Sequence, residues 1–494
     1  MDVGPVRLGV TCAGLALALA LTSPTAGAFS CAKLRAHREV APIEAYDAKP
    51  GAPRVFAMQP KQDPRNVVTY GAFRRKIDCM IRELVVPRLA RDRPNVVVFN
   101  EDIGLMTIAT GSRGRPARAL FASGAVAPGC EDAASPCGAL AGLQAIGGAY
   151  GPQLAAYRAR FGGMPPLAED FVAVTDTFGR GWMATFAALA RKYRIYLIGS
   201  NTQAHFRPST DPSDIATFAD PDLRDPKLAY VATGPQVYNE TFLWRPTGRI
   251  VASNRKVPLT PIEQALSVTP GPSTGRGAIA NLRPFRLAGT RARLGFATSL
   301  PAFTYGDPPA GTDPCSDTAQ YYMRCPDRLG ANVVIQADAN AGPWTGPDAD
   351  AIEQWQPLSW MTSTWQAVAD RGVSFAYNVT PMLTGNLADI TFDGQSTITQ
   401  RGLRGRGCHY IGNARWIDGE DRPDLTDEAG RKPQFLALAP WVVPDGPRSR
   451  LRAVGAQLAH GSGSRLENDY VETALVADLP FPPDPNRNGC RTAE

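Results

Sequence analysis

Three short segments of the sequence carry residues whose types suit covalent chemistry. Glu101 directly follows the predicted buried strand Asn95-Val-Val-Val-Phe99, and Ser299 ends another predicted strand. Lys256 and Glu263 stand seven positions apart after a predicted hairpin. Carboxylates and lysines transfer protons and stabilise charge, while serine is a nucleophile-type residue. Because strand ends converge on one edge of an open sheet, we expect these segments to meet in one pocket.

Each of these residues also has an ordinary structural interpretation. A glutamate at a strand end is often an ion-pair or capping residue, and a lysine in a loop is usually solvated. A serine after a strand commonly begins a turn or caps a helix. Glu101 and Lys256 could therefore pair with each other for structural reasons alone, and only the order of the segments along the chain separates the two interpretations.

Alternating strands and helices are expected to position the three segments. The pattern predicts strands over 54–58, 95–99, 195–198, 292–298, 332–335, 373–378 and 396–399, helices over 73–89, 181–193, 318–328 and 355–371, and a hairpin over 238–253. Residues 111–166 are expected to form a loop-rich insertion. Strands alternating with helices, joined to antiparallel hairpins, predict a layered α/β architecture.

The ordered segments resemble the carbon–nitrogen hydrolase (nitrilase-like) superfamily. That family has a strand followed by Glu, a Lys-x-x-x-x-x-x-Glu segment after a hairpin, and Gly-x-x-x-Cys at a strand end. A helix and Gly-Ala-(Asp/Asn) then lead into another strand. Here the corresponding stretches are Phe99-Asn-Glu101, Lys256 to Glu263, Gly295-Phe-Ala-Thr-Ser299 and Gly330-Ala-Asn332. The resemblance covers roughly residues 54–440.

The resemblance implies a four-layer αββα sandwich of the nitrilase type, here with loop insertions and a C-terminal extension. The expected divisions are a signal peptide (1–28), a lead-in (29–53), the carbon–nitrogen hydrolase-like domain (54–440) and the C-terminal extension (441–494). It also implies a small-molecule amide, nitrile or acyl substrate without a cofactor or a metal. Members of the family are commonly dimeric, so the resemblance allows a homodimer.

The family's chemistry is attack by a thiol on an amide or nitrile carbon, which gives an acyl-enzyme that water resolves. By position, Glu101 would be the general base. Lys256 would stabilise the developing oxyanion. Glu263 would orient the lysine or the attacking water, and residue 299 would be the nucleophile.

The sequence departs from the family pattern at the nucleophile. Position 299 holds serine, and Leu300-Pro301 replaces the Tyr-Asp that is usual after the cysteine. A cysteine thiol has a pKa of about 8.5, whereas a serine hydroxyl is much less acidic. Two functions therefore stay open: an exported hydrolase of C–N or related acyl bonds that uses Ser299, and a catalytically inactive binding protein that keeps the pocket.

Cys315 offers a third position for the nucleophile. It stands 15 residues before Gly330, near the helix length that is normal in the family. The preceding stretch, Gly306 to Pro314, reads as loop rather than strand, so Cys315 lacks the strand-end geometry. The sequence favours Ala302–Pro314 as an insertion and Cys315 as half of a disulfide.

The N-terminus and the cysteines together predict export. A 14-residue apolar stretch, Leu8 to Leu21, precedes Ala26-Gly-Ala28, which fits an A-x-A cleavage signal. We interpret residues 1–28 as a secretory signal peptide, with an uncleaved anchor as the alternative. Apart from Cys12, eight of the nine cysteines remain. In an oxidising compartment an even number favours disulfides over a zinc site, and short separations favour the pairs Cys130–Cys137 and Cys315–Cys325.

Composition narrows the class of partner. The 494 residues are 44% hydrophobic and 20% charged, which is typical of a globular protein. The formal net charge is +6, and the basic residues are mostly dispersed arginines without a run of like charge. The charge pattern therefore argues against a nucleic-acid partner.

Overall fold

The computed structural model describes residues 29–40, 44–47, 49–123, 137–339, 358–387, 390–393, 395–405, 416–417, 420–421, 435–440 and 471–489. The predicted signal peptide, residues 1–28, lies outside these ranges. Within them, no helix is both long enough and apolar enough to cross a membrane.

The helices lie mostly in the first half of the chain. Short π-helical turns, Ile81–Val85 and Gly179–Met183, adjoin three of them. The α-helices are α1 (Cys31–Val40), α2 (Tyr70–Met80), α3 (Arg115–Ser123), α4 (Cys137–Ala149), α5 (Gly151–Phe161), α6 (Ala168–Ala173), α7 (Thr175–Phe178), α8 (Ala184–Tyr193), α9 (Pro212–Phe218), α10 (Pro261–Ala265), α11 (Gly275–Asn281), α12 (Arg324–Arg328) and α13 (Leu358–Ala369).

The strands form two larger sheets and two small hairpins. They are β1 (Glu44–Ala45), β2 (Arg54–Gln59), β3 (Asn95–Val98), β4 (Tyr196–Ser209), β5 (Ala229–Trp244), β6 (Ile250–Arg255), β7 (Phe285–Arg286), β8 (Arg293–Phe296), β9 (Val333–Ile335), β10 (Tyr377–Thr380), β11 (Thr384–Leu387), β12 (Ile390–Asp393), β13 (Thr397–Gln400), β14 (Trp416–Ile417), β15 (Glu420–Asp421), β16 (Phe435–Leu438) and β17 (Thr473–Asp478).

Both larger sheets are mixed. The first has the order β1-β17-β2-β3-β4-β5-β6, and the second has the order β16-β13-β10-β9-β8-β7. In the first sheet β2, β3 and β4 are parallel, and in the second β8, β9 and β10 are parallel. The predicted α/β class is confirmed, and the parallel strands bring their carboxyl ends to a common edge of each sheet.

Alternation along the strands divides the core into layers. Val96 and Val98 of β3 lie in a cluster that joins the two sheets, together with Leu294 and Ile335 of the second sheet. Val97 points the other way, into a cluster filled from α2 and α8. A third cluster lies against the outer face of the second sheet and includes residues of α12 and α13. Because side chains alternate between strand faces, the apolar run Val96–Val98 supplies side chains to the layers on both sides of the first sheet.

Two predicted elements differ from the structure. Residues 111–166, expected to be loop-rich, contain α3, α4 and α5. The four glycines of Cys137–Ala149 each disfavour a helix by about 1 kcal/mol relative to alanine, and packing against the core outweighs this penalty. The helix predicted over 318–328 begins only at Arg324. A start at Thr318 would place Pro326 in the helix interior, where it removes a hydrogen bond and clashes.

The first sheet extends beyond the limits predicted for the domain. β1 comes from the lead-in, and β17 comes from the C-terminal extension. β17 is inserted between β1 and β2, pairing parallel with the former and antiparallel with the latter. Both flanking segments are therefore part of the sheet that carries Glu101.

The predicted disulfide between Cys315 and Cys325 is confirmed, with Cα atoms 4.8 Å apart. Cys315 is therefore not a free thiol, and it does not take the nucleophile's place. A second disulfide, Cys31–Cys79, was not predicted and ties α1 to α2. Cys137 is also disulfide-bonded, and Cys130, the partner predicted for it, lies outside the described residues.

Replacing Asp478 with alanine is expected to destabilise the fold by about 3 kcal/mol, because it leaves a largely buried arginine without its carboxylate. Arg54 of β2 donates to both oxygens of Asp478 of β17, at 2.8 and 2.9 Å. Denaturant unfolding followed by circular dichroism measures the change. Asp225→Ala, at an exposed pair with Lys227, serves as the control and should change little. Similar losses in both variants would contradict the prediction.

Candidate active site

Strand ends deliver the predicted residues to one place. Glu101 lies three residues after the end of β3, Ser299 lies three residues after the end of β8, and Lys256 directly follows β6. The Lys256 amide donates to the Asn239 carbonyl at 2.9 Å, which extends the β5–β6 ladder by one residue. The hairpin therefore fixes the backbone of Lys256 against that of Asn239.

Lys256 lies between two carboxylates. Its Nζ is 2.8 Å from Glu101 Oε1 and 2.8 Å from Glu263 Oε2. The lysine side chain is 2% exposed, and the two glutamates are 5% and 9% exposed. Buried ions are stable only when they are paired and hydrogen-bonded, so the three charges are tightly constrained.

Asn239 joins the same cluster and was missed from the sequence. Its Nδ2 donates to Glu101 Oε1 at 2.7 Å and to Glu263 Oε1 at 2.8 Å. Only the amide nitrogen can donate to two carboxylates, so this contact fixes the orientation of the amide. Strand pairing was the signal that could have found it. Glu240 pairs with Arg255, the last residue of β6, so Asn239, one residue before Glu240, lies beside Lys256.

The two glutamates are hydrogen-bonded to different extents. Glu263 completes a capping box at the start of α10, where its Oε2 accepts from the amide and the hydroxyl of Thr260 at 2.8 Å each. With Lys256 and Asn239 it has four donors, which saturates a carboxylate. Glu101 Oε1 accepts from Lys256 and Asn239, whereas its Oε2 accepts from the Ala339 amide at 3.1 Å. Oε2 of Glu101 thus retains capacity to accept a proton.

The electrostatics of the cluster separate the two carboxylates further. Burial raises the pKa of Glu101, and the negative charge of Glu263 adds to this rise although Lys256 opposes it. Burial acts the same way on Glu263, but the attraction of Lys256 outweighs it and lowers that pKa. Burial lowers the pKa of Lys256, and the two carboxylates more than compensate, so its pKa is raised. Lys256 is therefore a permanent cation, and Glu101 is the more basic carboxylate.

Ser299 occupies a strained backbone conformation, with φ 60° and ψ −119°. A residue with a Cβ rarely adopts positive φ, and it persists only where the surroundings hold it, often at functional sites. The residue is 3% exposed, and its amide donates to Asp338 Oδ1 at 3.0 Å. No feature of the sequence around Ser299 indicated this strain.

Three hydrogen bonds connect the serine turn to the charged cluster and to the neighbouring strand β5. Asp338 binds the Ser299 amide, while the amide of the next residue, Ala339, binds Glu101. The hydroxyl of Thr298, the residue before the serine, is hydrogen-bonded to the hydroxyl of Thr241 of β5 at 2.7 Å. The structure thus brings Glu101, Lys256 and Glu263 into direct contact, and links Ser299 to them through Asp338–Ala339 and Thr298.

Asp338 was also missed from the sequence. It is fully buried, and its Oδ2 accepts from Gln336 Nε2 at 2.9 Å, which also donates to Ser363 Oγ at 2.7 Å. Burial raises the pKa of Asp338 well above its usual range, and the charge of Glu101 adds to the rise. Its position just after β9, at the same sheet edge as Ser299, is the signal that sequence reasoning could have used.

Asp102 directly follows Glu101 and is held by β4. It has φ 53°, and its Oδ1 accepts from the Thr202 amide at 2.6 Å. Burial raises its pKa to about 7, with Glu101 and Glu263 contributing through repulsion. Within the described part of the chain, no group of three or more histidine, cysteine or acidic side chains could hold a metal ion.

Comparison with known proteins gives similarities to solved structures alone. No protein-family model matches the sequence, and no curated protein matches it. The chain is similar to a carbon–nitrogen hydrolase from Helicobacter pylori G27, at 14% identity and a TM-score of 0.36 over 71% of this chain and 81% of that one. It is also similar to an amidase from Nesterenkonia sp., at 15% identity and a TM-score of 0.34 over 71% and 84%.

Replacing Asp102 with asparagine should change how stability depends on pH. A pKa raised from 3.8 to about 7 means that the folded state holds the proton more tightly. The resulting stabilisation is complete below pH 3.8 and is lost as the pH rises towards 7. Over that window the melting temperature of Asp102→Asn should therefore rise relative to that of the wild type.

Thermal unfolding of both proteins at several pH values between about 4 and 8 tests this linkage. The side-chain oxygen of the introduced asparagine can still accept from the Thr202 amide, so the comparison isolates the titration. Asp225→Asn, at an exposed pair with Lys227, is the control and should follow the wild type. Parallel wild-type and Asp102→Asn curves would refute the assignment.

Proposed function

We propose that this chain is a hydrolase of the carbon–nitrogen hydrolase type, which cleaves an amide or a related acyl bond of a small molecule through an acyl-enzyme at Ser299. One observation carries the proposal: a buried Glu101–Lys256–Glu263 cluster linked to a serine held at positive φ. The order of the motifs along the sequence is consistent with it.

The excess of negative charge argues against a purely structural ion pair. One carboxylate is sufficient to neutralise Lys256, yet two lie at 2.8 Å from it. Burying a second carboxylate is unfavourable unless its charge has a use. Here the second carboxylate, Glu263, raises the pKa of Glu101 and so makes Glu101 a stronger base.

Acylation would begin at Glu101. Its Oε2 accepts the Ser299 hydroxyl proton as the serine Oγ bonds to the carbonyl carbon of the substrate. The electron pair of the C=O bond moves to oxygen, and the Lys256 ammonium stabilises the oxyanion. The C–N bond then breaks, the amine leaves with the proton held by Glu101, and an ester at Ser299 remains.

Deacylation would repeat these roles with water. Glu101 accepts a proton from water while the water oxygen attacks the ester carbon, and Lys256 again stabilises the oxyanion. Collapse releases the carboxylic acid and returns the proton to Ser299. Glu263, which is saturated with donors, holds Lys256 in position and takes no proton.

We also propose that the protein acts outside the cytoplasm. Support comes from the N-terminal pattern over residues 1–28 and from the disulfides Cys31–Cys79 and Cys315–Cys325. Disulfides form and persist mainly in oxidising compartments.

Removing the Ser299 hydroxyl should abolish turnover. We expect Ser299→Ala to reduce hydrolysis of a panel of short amides and acyl esters by on the order of 10³-fold or more. Intact-protein mass spectrometry should detect an acyl adduct on the wild type and none on the variant. Ser299→Cys should retain activity, because a thiol ionises more readily than a hydroxyl.

Ser253→Ala provides the matched control, since Ser253 is exposed on β6 and lies outside the cluster. It should retain full activity. Hydrolysis that survives Ser299→Ala would refute Ser299 as the nucleophile. Wild-type protein that neither hydrolyses the panel nor forms an adduct would favour the inactive binding protein.

The pH profile should report the raised pKa of Glu101. A general base must be deprotonated, so kcat/KM should rise with pH through a midpoint above the ordinary glutamate value of 4.5. Glu263→Gln should lower that midpoint, because it removes a repulsive charge and leaves Lys256 with one anionic partner. An unchanged or raised midpoint in Glu263→Gln would contradict this account.

A further inference from the structure

The hairpin between β7 and β8 concentrates positive charge at the edge of the second sheet. The stretch from Arg283 to Arg293 contains four arginines in eleven residues. Arg286 and Arg293 are direct register partners in the antiparallel pair, and like charges directly opposite one another are destabilising. Within the described residues, neither of them nor Arg291 forms an ion pair with a carboxylate. The hairpin therefore carries a repulsion that none of the described residues relieves.

Two adjoining clefts lie along this hairpin, with volumes of about 470 and 280 Å³. They share Arg286, Thr290 and Arg291 as lining residues. Arg293 and Asn332 complete the smaller cleft, and none of the described residues that line the two clefts is a carboxylate. The clefts thus form a groove of one sign of charge, which attracts anions.

The smaller cleft is shaped around the Arg293 guanidinium. A Cβ at Gly330, which has φ 86°, would lie 2.8 Å from Arg293 Nη1, so a side chain there would displace the arginine. Asn332 Oδ1 accepts from the Arg293 amide at 2.8 Å, and Asn332 Nδ2 donates to the Arg291 carbonyl at 2.9 Å. These contacts hold the hairpin backbone in place beneath the arginines.

Arginines also discourage edge strands from pairing with another molecule. That explanation fits β7 poorly, because the strand is only two residues long and offers little edge to protect. It also gives no reason for a groove that two arginine-lined clefts share. Guanidinium groups match phosphate and sulfate oxygens in bidentate geometry, and neutralisation by such a group would relieve the Arg286–Arg293 repulsion.

We propose that the β7–β8 hairpin is a binding site for a ligand with two or more phosphate or sulfate groups. Arg286 and Arg291 face both clefts, and Arg293 completes the second anion position. None of these residues belongs to the candidate active site, so the assignment is independent of the proposed hydrolysis.

Calorimetric titration of the full-length protein with tripolyphosphate at low ionic strength tests the site. We expect saturable binding that weakens with added salt. In the double variant Arg286→Gln/Arg293→Gln the Kd should rise by about tenfold or more, because charge-assisted contacts are lost. Arg249→Gln, at an exposed arginine in the β5–β6 turn, is the control and should bind like the wild type.

Thermal unfolding distinguishes binding from folding defects. Without anion, the double variant should melt at or above the wild-type temperature, because the cross-strand repulsion is gone. Tripolyphosphate should raise the melting temperature of the wild type and of Arg249→Gln, with a much smaller rise in the double variant. Equal affinity in all three proteins, or no saturable binding to the wild type, would overturn the proposal.

Vesicles identify the source of the anion. Co-sedimentation with phosphatidylcholine vesicles that contain phosphatidic acid, and not with phosphatidylcholine alone, would assign the site to lipid phosphate. Binding of tripolyphosphate without co-sedimentation would assign it to a soluble phosphate or sulfate ester. Aggregation of the double variant with unchanged tripolyphosphate affinity would instead show edge protection and refute the site.

Discussion

The position of one ammonium group between two carboxylates constrains the rest of the site. Lys256 is 2% exposed, so its charge requires partners, and Glu101 and Glu263 supply them from different elements. Glu101 follows a parallel strand of the first sheet, while Glu263 lies in the first turn of the short helix α10. The cluster forms only if the β3 end, the β5–β6 hairpin and α10 meet, so it depends on the correct packing of all three.

The second sheet is joined to this centre by backbone amides and hydroxyls rather than by charge. Ala339, just beyond Asp338, donates its amide to Glu101, and Thr298 shares a hydroxyl contact with Thr241. These links cross between the two sheets at their carboxyl edges. Because the apolar cluster between the sheets fixes their separation, it also fixes the distance from the serine turn to the charged residues.

Sequence reasoning found the elements and the charged residues but missed their connectors. Strand positions such as 95–98 and the residues Glu101, Lys256 and Glu263 follow from local pattern and motif order. Asn239 and Asp338 do not, because each acts across the fold: one bridges two carboxylates and the other holds a distant amide. β17 was missed for a similar reason, since a strand from the chain terminus that inserts between β1 and β2 has no local signature of its partners.

The strain at Ser299 gives the serine a different meaning from the one that the sequence allowed. As a bare substitution for cysteine, serine suggested either a weakened enzyme or a relic. A relic would be free to relax, since a non-glycine residue at positive φ is unfavourable by about 1–3 kcal/mol. Instead, the fully buried carboxylate of Asp338 holds the Ser299 amide, and Gln336 holds that carboxylate in turn. Burying the Asp338 acid is itself unfavourable. The turn therefore combines two unfavourable features, the positive φ of Ser299 and the buried acid that holds its amide. Their coexistence favours a serine whose position matters for chemistry.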